Sequence, residues 1–264
     1  MEYWWLYLSI GVLVGFMAGL LGIGGGMLLV PILVFVFDAS HFAEEHLMHL
    51  ALGTAMATIP FTSLSSVSAH HVRGGVDWSI VRGMLPGIAL GAALGTLVAG
   101  SIPGRPLAIF FAAFILYAAT SMFFDLTPKG KRALPGPQGL ILTGTIVSFL
   151  ASFLAAGAAF MTIPFMLWCS VPLKRAVGTA AAIGFPLSLA AGIGYVLAGQ
   201  SAAGLPNYSL GYVYLPATAM IALTSVLTAP LGARVSQRMP VKRLRIVFAL
   251  TLYALAARML ANLW

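Results

Sequence analysis

Charge is the scarcest property of this sequence: 8% of its 264 residues are Asp, Glu, Lys or Arg, where ordinary soluble chains carry ~25%. Set against 60% hydrophobic residues, that scarcity excludes a water-soluble globule and predicts an integral membrane protein. Acids are rarer than bases, 6 Asp plus Glu against 14 Lys plus Arg. The net charge of +8 does not point to nucleic acid, because the basic residues lie in short loops between apolar runs and form no continuous patch. Cysteine is nearly absent: Cys169 stands alone, so neither an intramolecular disulfide nor a cysteine metal centre can be built. No Gly-x-Ser-x-Gly elbow and no His-Glu-x-x-His pair occurs, which leaves an intramembrane hydrolase little to work with. No basic region precedes the apolar stretch that begins at Met1-Glu2-Tyr3-Trp4-Trp5, so no cleaved signal peptide is expected.

What is present is apolar sequence in eight runs, at about 4–37, 47–70, 78–100, 107–124, 138–169, 176–198, 211–233 and 244–264. A helix needs ~20 residues to cross a bilayer. The first and fifth runs are too long for one crossing and too short for two. They also hold clusters of small residues: Gly22-Ile23-Gly24-Gly25-Gly26 in the first and Ala155-Ala156-Gly157-Ala158-Ala159 in the fifth. Irregular backbone inside a membrane is tolerated only where protein covers it or where it lines a cavity. Each of the two runs is therefore expected to be a re-entrant or broken helical hairpin whose tip lies near a binding site.

The charges bear on this expectation. If all eight runs crossed, the basic residues would divide 6 against 8. If the first and fifth return to the side they entered from, only Arg105 and Arg258 lie on one side and the other 14 − 2 = 12 on the opposite one, as the positive-inside rule requires. Both termini and the acidic loop with Asp38, Glu44 and Glu45 then face outward. The fold class expected is an all-α polytopic membrane protein of two inverted repeats, each a hairpin plus three transmembrane helices: residues 1–125, a cytoplasmic linker at 126–137, and residues 138–264. A duplication is visible in the residues themselves. Gly11/Gly144, Gly15/Ser148, Gly19/Ser152, Gly22/Ala155, Gly24/Gly157, Gly26/Ala159 and Pro31/Pro164 share one offset (164 − 31 = 133). Gly53-Thr54-Ala55 matches Gly178-Thr179-Ala180, Leu85-Pro86 matches Leu215-Pro216, and Gly95-x7-Pro103 matches Gly232-x7-Pro240.

Gly15-x3-Gly19-x2-Gly22-Ile23-Gly24-Gly25-Gly26, then Val30-Pro31-Ile32-Leu33, then Gly53-Thr54-Ala55, with a weaker second copy, resembles the sulfite exporter TauE/SafE family of membrane permeases. The resemblance covers nearly the whole chain and departs in the second half, where alanines replace the glycine-rich cluster. It implies secondary transport of small sulfur anions such as sulfite, sulfoacetate or thiosulfate across a bacterial inner membrane, with the bilayer and a small anion as partners, no cofactor, and a homodimer left open.

Physical chemistry supplies a mechanism for such a permease. A small anion leaving water needs donors, and the free N–H groups of a half-helix N-terminus provide them without a buried cation. Gly24, Gly25 and Gly26 at the first tip and Gly157 and Ala158 at the second are the expected contacts, flanked by the hydroxyls of Thr54 and Thr179. Thr58 and Thr62 share a helix face with Thr54 and are expected to line the pathway, although hydroxyls in membrane helices also bond the preceding turn. Gly15, Gly19, Gly87, Gly91 and Gly95 suit close helix packing. His49, His70 and His71 read as interfacial, and Arg82 and Arg258 as snorkelling. A passive anion channel of the same architecture fits the same residues.

Overall fold

The computed structural model describes residues 4–21, 25–72, 74–126, 130, 132–155, 159–236 and 241–261. Ten helices account for most of them: α1 Trp4–Leu21, α2 Gly26–Ala39, α3 Glu44–His71, α4 Trp78–Ser101, α5 Gly104–Phe123, α6 Pro137–Leu154, α7 Ala159–Trp168, α8 Leu173–Ala198, α9 Leu215–Ser236 and α10 Val241–Ala261. A two-stranded antiparallel ribbon, β1 Ser209–Leu210 and β2 Val213–Tyr214, joins α8 to α9. The chain is thus an all-α multi-pass membrane protein. Six of its helices, α3, α4, α5, α6, α8 and α9, are long and apolar enough to cross a bilayer, while Trp4–Leu20, α2, α7 and Ile246–Ala261 form shorter apolar helices.

Each over-long apolar run is broken where its small residues cluster. α1 stops at Leu21, and α2 restarts behind Gly25, which holds φ 68° and caps the new helix by accepting from Leu28 and Leu29 N–H at 3.1 Å. Only glycine adopts that left-handed geometry without penalty. A Cβ on Gly25 would stand 2.8 Å from Val14 Cγ1 and 3.1 Å from Ala18 Cβ, so the chain has already doubled back along α1. The far ends agree, since the rings of Tyr7, early in α1, and Phe37, late in α2, both meet Tyr214, with centroids 6.2 and 5.7 Å away. The second run behaves likewise. α6 ends at Leu154 with Ala155 as its C-cap, α7 runs from Ala159, and Arg132, ahead of α6, donates its N–H to the carbonyl of Trp168, the last residue of α7, at 3.2 Å.

Lipid tails are as apolar as leucine, so helices in a bilayer are held by close contact more than by hydrophobic exclusion, and small residues set how close they come. α1 packs on α9 and α6 on α4, with α3 against α8 and α5 against α10. At the first interface a Cβ on Gly11 would strike the Ile221 carbonyl and one on Gly19 the Ala229 carbonyl. At the second, Gly144 faces the Met84 carbonyl, Gly87 the Ile141 carbonyl and Gly91 the Thr145 carbonyl. A single added methyl group at these positions meets backbone, which cannot move aside as a side chain can.

Contacts recur between the halves. Gly53 abuts the Tyr212 carbonyl and Gly178 the Gly75 carbonyl; Gly232 abuts the Phe16 carbonyl and Gly95 the Phe149 carbonyl. The matched residues of α4 and α9 stand 137 apart (232 − 95 = 137). Leu85-Pro86 and Leu215-Pro216 stand 130 apart (215 − 85 = 130), two helical turns off that register.

Candidate functional site

The two breaks meet. A Cβ on Gly26 would collide with the Ala155 carbonyl oxygen and lie 2.9 Å from Ile59 Cδ1 of α3, which brings together residues far apart in sequence. Gly26 and Met27 are buried in the first turn of α2, where N–H groups have no partner within the helix and the helix dipole is positive. Opposite them, Ala155 holds φ 39° at the end of α6. A residue with a Cβ pays about 1–2 kcal/mol for that conformation, so the surroundings must hold it there. Nearby, Tyr195 of α8 is fully buried, and its hydroxyl donates to the Ser152 carbonyl at 2.7 Å. Ser152 turns its own hydroxyl back to the Ser148 carbonyl at 2.9 Å. The Ser148 hydroxyl is fully buried with no hydrogen-bond partner.

Of the residues expected at the site from the sequence, Gly25 is the N-cap of α2 and Gly26 its first residue, beside the Ala155 carbonyl. Gly24, Gly157 and Ala158 lie outside the described residues. Thr54 and Thr179 are fully buried and occupy equivalent places: Thr54 Oγ1 accepts the Tyr214 N–H at 3.0 Å, and Thr179 Oγ1 accepts the Asp77 N–H at 2.9 Å. Each hydroxyl oxygen therefore already fastens the loop that leads into α9 or α4. Thr58 and Thr62 are buried and bonded to their own helix, to the Thr54 carbonyl at 2.7 Å and the Ile59 carbonyl at 2.9 Å, as hydroxyls in membrane helices commonly are.

His49 is buried, donates from Nε2 toward the carbonyls of Ala99 and Ile102 at 3.2 and 3.0 Å, and stacks on Tyr212 at 4.9 Å, leaving Nδ1 without a partner. His71 is exposed and accepts the Trp78 indole N–H at 3.2 Å. Arg82 is exposed, and Arg258 is exposed with its guanidinium 4.7 Å over the Phe35 ring. Among the described residues the buried polar side chains are hydroxyls and His49, so the interior carries no fixed cation there. Tyr195 was missed from the sequence, where one tyrosine in an apolar helix gives no signal. Ser148 was visible only as the counterpart of Gly15.

The chain, a bundle of apolar helices, is a membrane transporter. It belongs to the sulfite exporter TauE/SafE family, whose model matches residues 7–259. It is 34% identical over 256 residues to a probable membrane transporter protein of Haemophilus influenzae, covering 96% of this chain and 97% of that one. It is 28% identical over 250 residues to a probable membrane transporter protein of Methanocaldococcus jannaschii, covering 92% and 90%, and 26% identical over 203 residues to one of Bacillus subtilis, covering 74% and 79%. No solved structure matches. Family and relatives indicate transport rather than enzymatic chemistry.

Proposed function

We propose that this transporter carries a small sulfur-containing anion, such as sulfite, thiosulfate or an organosulfonate like sulfoacetate, and holds it between the two hairpin tips. The observation that carries this reading is the apposition of Gly26 and Ala155 over a buried helix start. N–H groups at the first turn of α2 and around Gly24, Gly25, Gly157 and Ala158 replace the hydration shell, each hydrogen bond to the charged acceptor contributing ~1.5–3 kcal/mol. Thr54 and Thr179 flank the anion in a double role, since each oxygen holds a loop amide while its single proton remains to be donated. Residues 1–125 and 138–264 act as inverted repeats, joined by the linker at 126–137, and rock about the tips to expose the site to one side at a time. The inversion is supported by the hairpins opening toward opposite ends of α8: one beside Tyr214, whose ribbon sits on its C-terminus, the other beside Trp168, just ahead of its N-terminus. In this reading both termini lie outside the inner membrane, as the 12 against 2 distribution of basic residues favours, and a homodimer is compatible with it.

The test is a flux and binding panel in proteoliposomes with sulfite, sulfate, thiosulfate and sulfonates. Saturable flux of at least one sulfur anion, with counterflow, is the expected result. Linear flux without counterflow indicates a passive channel, and no binding of any of them removes the anion reading.

A further inference from the structure

The second break uses alanines where the first uses glycines, and a buried tyrosine stands beside it. We propose that Tyr195 is a positioning residue for the anion site: its hydroxyl, through the Ser152 carbonyl, holds the left-handed turn at Ala155 in register with the first hairpin tip. This rests on the reading that the tips bind the anion.

The last carbonyls of a helix have no partner within it, and at the end of α6 the Ser152 carbonyl receives the Tyr195 hydroxyl at 2.7 Å. Three residues further on, Ala155 sits at φ 39°, and its carbonyl oxygen is the atom that abuts Gly26. Drift of Ala155 toward an unstrained φ therefore pulls one wall away from the start of α2. Tyr195 is a stiff anchor because its backbone is fastened as well: its carbonyl accepts from Gly199 and from Tyr212 N–H, both at 3.2 Å. The same backbone bond exists in the other half, from Gly75 N–H to the His70 carbonyl at 3.0 Å, so His70 is the counterpart of Tyr195. The first hairpin turns at Gly25, which takes φ 68° freely.

The experiment uses the full chain in nanodiscs, with sodium sulfite as the probe. Tyr195→Phe deletes one hydroxyl and should weaken sulfite binding about tenfold, the effect of one lost hydrogen bond at a buried carbonyl. Amide exchange at the end of α6 should quicken, while the thermal midpoint moves by a few degrees at most. Ala155→Gly, which makes φ 39° free of its Cβ penalty, should recover most of the affinity when combined with Tyr195→Phe. Unchanged affinity and exchange in Tyr195→Phe overturns the proposal, as does a loss that Ala155→Gly fails to recover. If the unsubstituted protein binds no sulfite, the anion reading falls, and exchange at the end of α6 alone decides whether Tyr195 holds the break.

Discussion

The loop entering α9 and the loop entering α4 are fastened by the same device and finished differently. Thr54 holds the Tyr214 amide and Thr179 the Asp77 amide, and beneath each a glycine lets a loop carbonyl approach, Gly53 under Tyr212 and Gly178 under Gly75. Above that shared lock the α9 loop is a β-ribbon loaded with aromatic rings. Tyr212 stacks on His49, and Tyr214 meets Phe42 at 5.3 Å and Phe37 at 5.7 Å. The α4 loop is a short turn finished by a helix cap, in which the Asp77 carboxylate accepts the Ser79 N–H at 3.1 Å and its hydroxyl at 2.6 Å. The backbone framework repeats while the side chains that close the two ends do not, so the ends should open at different cost.

The largest effect expected is all-or-none and tests whether the two locks lie on opposite faces. In a Cys169→Ala background, cysteines in the Lys129 to Arg132 linker and in the Arg238 to Arg243 segment should resist an impermeant thiol reagent applied outside, while cysteines at Ala43 and Ala203 should label. Opposite accessibility of the linker and the 238–243 segment would remove the inverted arrangement and the comparison with it. Cys169 itself is buried, so background labelling should be weak even before it is replaced.

Next in size is the pair of threonines. Thr54→Val and Thr179→Val keep shape and remove the hydroxyl, leaving a loop amide without its acceptor. Affinity for sulfite should fall tenfold or more in each, as 1.4 kcal/mol corresponds to a factor of ten. Arg82→Gln should change affinity far less, because Arg82 is exposed and acts only through its screened long-range field. A large loss in Arg82→Gln beside near-normal threonine variants would place the anion at a cation and overturn the assignment of neutral donors.

How much of this was legible in the sequence differs by feature. The broken helices were, because three consecutive glycines gain nothing as a packing stripe and the two runs have lengths that fit no other reading. The equivalence of Thr54 and Thr179 was also visible. Their bonds were not, since Tyr214 and Asp77 lie more than a hundred residues away and the donated group is a backbone amide that any residue carries. The second strand of the ribbon was hidden inside an apolar run, 211–233, that reads as the start of α9; β2 is only two residues long. Burial of His49 escaped notice for a similar reason, because its cover, Tyr212, comes from that ribbon.

A smaller effect should appear at one end only. Tyr212→Ala removes the ring stacked on His49, a contact worth about 0.5–1.5 kcal/mol beyond its buried area. Amide exchange across 209–214 should speed up by roughly a factor of two to ten, with exchange at 74–77 unchanged. Equal acceleration of both loops would mean that the two ends open together, and the difference in their dressing would carry no consequence.

The smallest effect belongs to the other end and depends on pH. The Ser79 hydroxyl bonded to Asp77 holds its carboxyl below the usual carboxylate range. A group whose folded pKa is depressed stabilises the fold above its ordinary value, ~4 for aspartate, and loses that contribution as pH falls through the folded value. Asp77 is a helix N-cap, a role worth ~1 kcal/mol, equivalent to a shift of about 2–4 °C in a chain of this size or less. Asp77→Ala should therefore melt a few degrees below the unsubstituted protein near pH 7, and the gap should narrow as pH drops below about 4. The α9 loop has no such cap, so Tyr212→Ala should show a gap that stays level over the same range. A pH-independent gap in Asp77→Ala would mean that the side chain acts by shape alone, and the chemical distinction between the two loops would reduce to one of packing.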